Sequence, residues 1–118
     1  MSCLPTDPPQ LPPEARAIVE ACASEHGSQV DHVLGRSREG RAVRARFSTY
    51  LLLRRRLGWS YPMVGRALGR DHSTVHHGTM QAIRWLQSSE QYRERVTRIG
   101  LVLDGWLSHR DVGQQAQH

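Results

Sequence analysis

Apolar side chains recur along this chain at steps of three and four residues, the repeat of one helix face, and nowhere at the two-residue alternation of a strand. Ala15, Ile18, Val19 and Cys22 form the first stripe, entered through Pro12 and Pro13, which suit a helix start, and stopped at Gly27. A short second face follows at Val30, Val33 and Leu34, with Ser28 and Asp31 standing three apart as a capping pair and Gly35 as its end. Phe47, Tyr50, Leu51, Leu53 and Leu57 predict a long amphipathic helix closed by Gly58, with Arg54, Arg55 and Arg56 near its C-terminal end, where cations complement the helix dipole. Ser60 caps the next helix, Pro62 fits its first turn, and Gly69 closes it. Another helix then runs to about Gln87, buried through Val75, Ala82, Ile83 and Leu86.

From about Ser89 to His109, Tyr92, Val96, Ile99, Leu103 and Trp106 follow at intervals of four, three, four and three, one unbroken stripe that reads as core. The fold class predicted is therefore all-α, about six helices in one domain over residues 14–109. Five of the six prolines fall in residues 1–13, an extended leader, and the polar residues 110–118 form a tail.

Residues 64–77, V-G-R-A-L-G-R-D-H-S-T-V-H-H, carry the most specific pattern. Val64, Gly65, Leu68, Gly69 and Val75 are spaced to pack two helices across a tight turn, a helix-turn-helix. The second helix opens with Asp71, His72, Ser73 and Thr74, short polar groups suited to the base edges of a major groove. Asp71 is also placed to cap that helix, and one carboxylate has oxygens for both roles. His72 and His76 lie one helical turn apart, but Ser73 stands where a zinc-protease helix needs glutamate, so no metal or other cofactor is assigned.

Charge sharpens this picture. All 16 basic residues are arginine and the formal net charge is +5, which favours a polyanionic partner and planar forks for phosphate and guanine. Five arginines, Arg36, Arg38, Arg41, Arg44 and Arg46, crowd into residues 36–46, read as a basic loop within reach of a phosphate backbone. Two cysteines make no disulfide framework, and no apolar run approaches a membrane span, so the expected setting is cytoplasmic, in a bacterium or encoded by a phage, at the nucleoid. No nucleophile, base and acid assemble in the pattern, and the expectation is a protein that is not an enzyme.

A basic loop, a long helix, and then Gly69-Arg70-Asp71-His72-Ser73-Thr74-Val75-His76-His77 resemble the C-terminal DNA-binding domain of the bacterial replication initiator DnaA, whose pattern is close to G-G-R-D-H-T-T-V-x-H. The resemblance implies a fold of the Trp-repressor-like kind. It implies double-stranded DNA as partner, with Arg70, Asp71, His72, Ser73, Thr74 and His77 at the major groove. For the neighbouring minor groove it nominates Arg44 or Arg46. One glycine of the family's pair is missing before Arg70, the family's proline between arginines is absent from Val43-Arg44-Ala45-Arg46-Phe47, and His76 replaces an apolar residue. With no lysine, the usual ATP-binding loop G-x-x-x-x-G-K-[ST] is absent from these 118 residues.

The functional expectation is a stand-alone, sequence-specific double-stranded DNA-binding protein that regulates transcription by site occupancy, recruiting or excluding RNA polymerase or another regulatory protein. An accessory or competing factor at initiator boxes is the alternative within the same chemistry. A protein-interaction module built on the apolar stripe and the proline leader is the alternative outside it. If about five of the arginines meet phosphates, the logarithm of affinity falls against log salt with a slope of about −4 to −5, checked by titrating a duplex at several salt concentrations.

Overall fold

A computed structural model describes residues 11–115, with side chains from 11 to 106, and every regular element in that span is an α-helix. In chain order these are α1 (Pro13–Glu25), α2 (Val30–Leu34), α3 (Gly40–Leu57), α4 (Tyr61–Leu68), α5 (His72–Ser88) and α6 (Glu90–Gln115). The all-α class and the six-helix order follow the apolar spacing.

α3 runs through the middle and packs on α1, α2, α4 and α5. Its buried surface begins earlier than large apolar residues would indicate, because Ala42 and Ala45 are wholly buried. Residues 40–46 are therefore helix, not loop. Alanine and arginine are both good helix formers, and a face of small side chains lets neighbouring helices approach α3 closely without any bulky apolar signal in the sequence. The same close packing recurs where α3 meets α5: a Cβ on Gly78 would lie 2.7 Å from the Phe47 ring and 2.8 Å from the Tyr50 ring.

The main core joins Ile18, Val19 and Cys22 of α1 to Tyr50, Leu52 and Leu53 of α3, Val64, Val75 and the Ile99 and Leu103 positions of α6. A second cluster of Leu51, Ala82 and Tyr92 seals the α5–α6 corner. The stripe on α6 is thus core through Tyr92, Ile99 and Leu103. α6 continues past the expected end near residue 109 to Gln115. Most of the proline leader, residues 1–10, lies outside the described residues; of the polar tail, residues 110–115 belong to α6 and 116–118 lie outside the described residues.

Of the two expected helix caps, one needs correction. The N-cap of α2 is Gln29, in extended conformation and without a side-chain cap bond, so Ser28 and Asp31 do not form the capping pair; the Ser28 hydroxyl is buried without a hydrogen-bond partner. Ser60 does cap α4, its hydroxyl oxygen accepting from the Met63 amide at 3.2 Å.

Inside the core, His26 Nε2 and Ser48 Oγ share a hydrogen bond of 3.1 Å, and Ser48 Oγ and Tyr92 Oη another of 2.7 Å, tying α1, α3 and α6 together. Burial, with Arg95 adding to it, lowers the His26 pKa from 6.5 to about 4, so the imidazole is neutral in the fold. Between those two pH values the unfolded chain binds a proton that the folded chain does not. Stability therefore rises with pH across that window and is lost as pH falls through it, by roughly 3 kcal/mol in full. Urea unfolding at pH 7 and pH 4 checks this: the loss in the wild type should exceed that in His26→Gln by about this amount.

Candidate nucleic-acid interface

α4 and α5 meet across a turn built by two glycines. Gly69 closes α4 with φ of +69°, a left-handed conformation in which a β-carbon is strained. The chain then folds back so closely that the Arg70 amide donates to the Gly65 carbonyl at 2.8 Å, and a Cβ on Gly65 would sit 2.5 Å from the Arg70 carbonyl oxygen. Gly65 thus sets how near the second helix starts to the first.

α5 divides cleanly by face. Val75, Gly78, Thr79 and Ala82 are buried, while His72, Ser73, Thr74, His76 and His77 are all exposed on the first turn and a half. Asp71 occupies the N-cap position with extended backbone, and its carbonyl accepts from the Val75 amide at 3.1 Å. Its side chain does not cap a backbone amide; one carboxylate oxygen accepts the Ser73 hydroxyl proton instead. That hydroxyl, with weaker help from the nearby backbone amides and His72, holds the Asp71 pKa below its usual value. The first turn therefore offers a charged acceptor at Asp71, the remaining lone pairs of Ser73, the Thr74 hydroxyl, and imidazoles at His72 and His77, a donor and acceptor set matched to base edges. His76 sits edge-on to the Tyr61 ring, centroids 4.9 Å apart.

The arginines expected to act as one basic loop are sorted by the fold into three places. Arg36 and Arg38 are exposed in the connection between α2 and α3. Arg41 and Arg44, also exposed, stand on the first turns of α3 and line a cavity with Trp85 and Arg95 at the α5–α6 corner. Arg46 points inward, 9% exposed, and donates to the carbonyls of Val33 at 2.9 Å, His32 at 2.7 Å and Ser37 at 3.0 Å. With its fork spent on these carbonyls, Arg46 is not a groove-reading residue in this structure. Arg70, nominated for base contact, is half-buried and turned back as well: its guanidinium donates to the Leu34 carbonyl at 3.3 Å and to the Gly35 carbonyl.

Arg46 and Arg70 thus converge on the carbonyl end of α2, and the connection bearing Arg36 and Arg38 is held beside the turn that launches α5. Sequence reasoning missed this clamp, and also the role of Arg54. The Arg54 guanidinium lies 3.8 Å from the Tyr61 ring centroid and donates to the Trp59 carbonyl at 3.0 Å. It props the ring against which His76 rests. Arg56 pairs with Asp104 at 2.9 Å and ties α3 to α6, so only Arg55 of that arginine run keeps the character of a solvated face.

An exposed polar first turn on α5, a glycine-built turn before it and a clamped basic connection beside it define a helix-turn-helix DNA-binding domain. The bacterial dnaA protein helix-turn-helix profile matches residues 15–81, and the chain belongs to that family. The chromosomal replication initiator protein DnaA 1 of Chlamydia muridarum is 40% identical over 58 residues, which are 49% of this chain and 13% of that protein. Its counterpart in Chlamydia trachomatis is 41% identical over 58 residues, with the same coverage of 49% and 13%. The chromosomal replication initiator protein DnaA of Thermomicrobium roseum is 34% identical over 91 residues, 76% of this chain and 19% of its own length. This chain therefore corresponds to less than a fifth of each of these relatives.

Gly65→Ala tests the turn. Its new methyl meets backbone, not a flexible side chain, so a loss of about 1 to 3 kcal/mol is expected in urea unfolding. Gly105→Ala on α6, where nothing lies within 4 Å of the added carbon, should instead gain up to about 1 kcal/mol from helix propensity.

Proposed function

We propose that this chain recognises a specific double-stranded DNA site, with the first turn of α5 in the major groove and Arg36 and Arg38 on the adjacent backbone or minor groove, and that it regulates transcription by occupying that site. The observation that carries the reading is the clamp. Through Arg70 it ties the Leu34 and Gly35 carbonyls, directly before the exposed Arg36 and Arg38, to the same turn that presents Asp71, His72, Ser73, Thr74 and His77, so groove reading and phosphate contact share one edge of the molecule. These 118 residues carry no lysine-bearing phosphate loop, so occupancy is the action available to them, and a protein seated on a promoter excludes or recruits RNA polymerase.

A second reading places the same chemistry in replication, as an accessory or competing factor at initiator boxes. What favours it is the identity to proteins named as chromosomal replication initiators. Footprinting on initiator-type boxes and on promoter fragments, together with a genome-wide occupancy map, separates the two.

On this reading the two groups of residues carry different signatures. His72→Ala should reduce discrimination between the best site and a single-base variant by about 1 to 3 kcal/mol. Arg36→Ala with Arg38→Ala should weaken all duplexes alike and lower the magnitude of the salt slope by about 2, roughly one for each phosphate contact removed. Arg46→Ala should act on folding stability and leave the slope of the folded protein where it was. Equal loss of discrimination from both sets of variants, measured by competition binding, would contradict the placement of the helix.

A further inference from the structure

The end of α1, the first turns of α3 and the α5–α6 corner enclose a cavity of about 330 Å³, lined among others by His26, Arg41, Arg44, Trp85, Tyr92 and Arg95. It lies at the low end of the range of about 300 to 1,000 Å³ in which ligand sites fall. None of its lining comes from residues 60–77. Trp85 stands thirteen residues beyond His72 on the same helix, roughly 20 Å along the axis from the face that reads DNA in our proposal.

The charge of this cavity is unbalanced. Three guanidinium groups border it and no carboxylate does. Arg95 is partly engaged, donating to the Glu25 carbonyl at 2.9 Å with the Glu25 carboxylate 3.6 Å away, but that one carboxylate also holds Arg98 at 2.9 Å. Arg41 and Arg44 make no hydrogen bond or ion pair with any described residue, and both are exposed. The same cavity is lined by aromatic rings: Trp85, half-buried and stacked on Phe47 at 5.8 Å, meets Tyr92 edge-on at 5.3 Å, and the buried Tyr92 stacks with His26 at 5.9 Å. The hydrogen-bonded chain from His26 through Ser48 to Tyr92 keeps these rings in place before any ligand arrives.

We propose that this cavity binds a small phosphorylated aromatic molecule of the nucleotide class, its phosphates taken by Arg41, Arg44 and Arg95 and its ring laid against the half-buried indole of Trp85. Guanidinium forks match phosphate oxygens in pairs, and the indole supplies an apolar surface for a flat base. A concave pocket of this size suits a single small molecule better than the convex rail of a duplex backbone.

Calorimetric titration of the full chain with adenosine diphosphate, inorganic pyrophosphate and adenosine, with NMR detection of the Trp85 indole, tests this. Adenosine diphosphate should bind saturably at one site and shift the Trp85 indole and Arg95 signals, while pyrophosphate and adenosine bind about tenfold or more weakly, each lacking one half of the contacts. Arg41→Ala with Arg44→Ala should weaken the diphosphate by about tenfold or more while melting at the wild-type temperature, since both side chains are exposed. The proposal is overturned by titration without saturation, by pyrophosphate binding as tightly as the nucleotide, or by shifts confined to residues 70–77. Affinity that climbs steadily with the length of a single-stranded oligonucleotide would also overturn it, as the mark of a strand groove.

Discussion

One buried and one half-buried guanidinium group on one set of carbonyls govern the geometry of this domain. α2 is only five residues long, too short to hold itself together in water, and its terminal carbonyls would be left without intrahelical partners. Arg46 from α3 and Arg70 from the helix-turn-helix answer both needs, with hydrogen bonds to His32, Val33, Leu34, Gly35 and Ser37. Cations at a helix C-terminus are favoured by its dipole as well as by the hydrogen bonds. The proximity of Arg70 and the loss of water lower the Arg46 pKa, yet an arginine stays charged under such pressure where lysine would yield. Arginine is the residue type this clamp requires.

The exposed first turn of α5 is arranged relative to that clamp. Tyr50 is wholly buried, and burial raises its pKa while the charges of Arg70 and Arg46 pull it down. The Tyr50 ring also limits how near α5 approaches, which is why position 78 carries no side chain. From the other side, Arg54 holds Tyr61 and Tyr61 meets His76. The first turn of α5 is thus fixed from both flanks by residues whose side chains are engaged within the protein. Arginines in a basic protein do two different jobs here, and exposure separates them: Arg36 and Arg38 face solvent, whereas Arg46 and Arg70 spend their donors on carbonyls.

The turn itself depends on near contact of backbones. Gly65 and the Arg70 carbonyl leave no room for a β-carbon, and Gly69 adopts the left-handed conformation that starts the reversal. Because the turn presses on the clamp through Arg70, distortion there reaches both the recognition helix and the basic connection. The two parts of the proposed interface are one mechanical unit.

Helical periodicity sufficed to read the number and order of helices, the core stripe on α6 and the helix-turn-helix, because large apolar groups at steps of three and four and glycines at turns act over only a few residues. The exposed polar set from Asp71 to His77 was legible for the same reason. The start of α3 was not, since Ala42 and Ala45 bury a face with too little apolar bulk to stand out among arginines. Nor could spacing along the chain tell Arg46 from Arg44 or Arg38. Which guanidinium is buried depends on carbonyls 9 to 14 residues away, and for Arg70 on carbonyls 35 and 36 residues away, distances at which chain pattern carries no information and only packing brings the partners together.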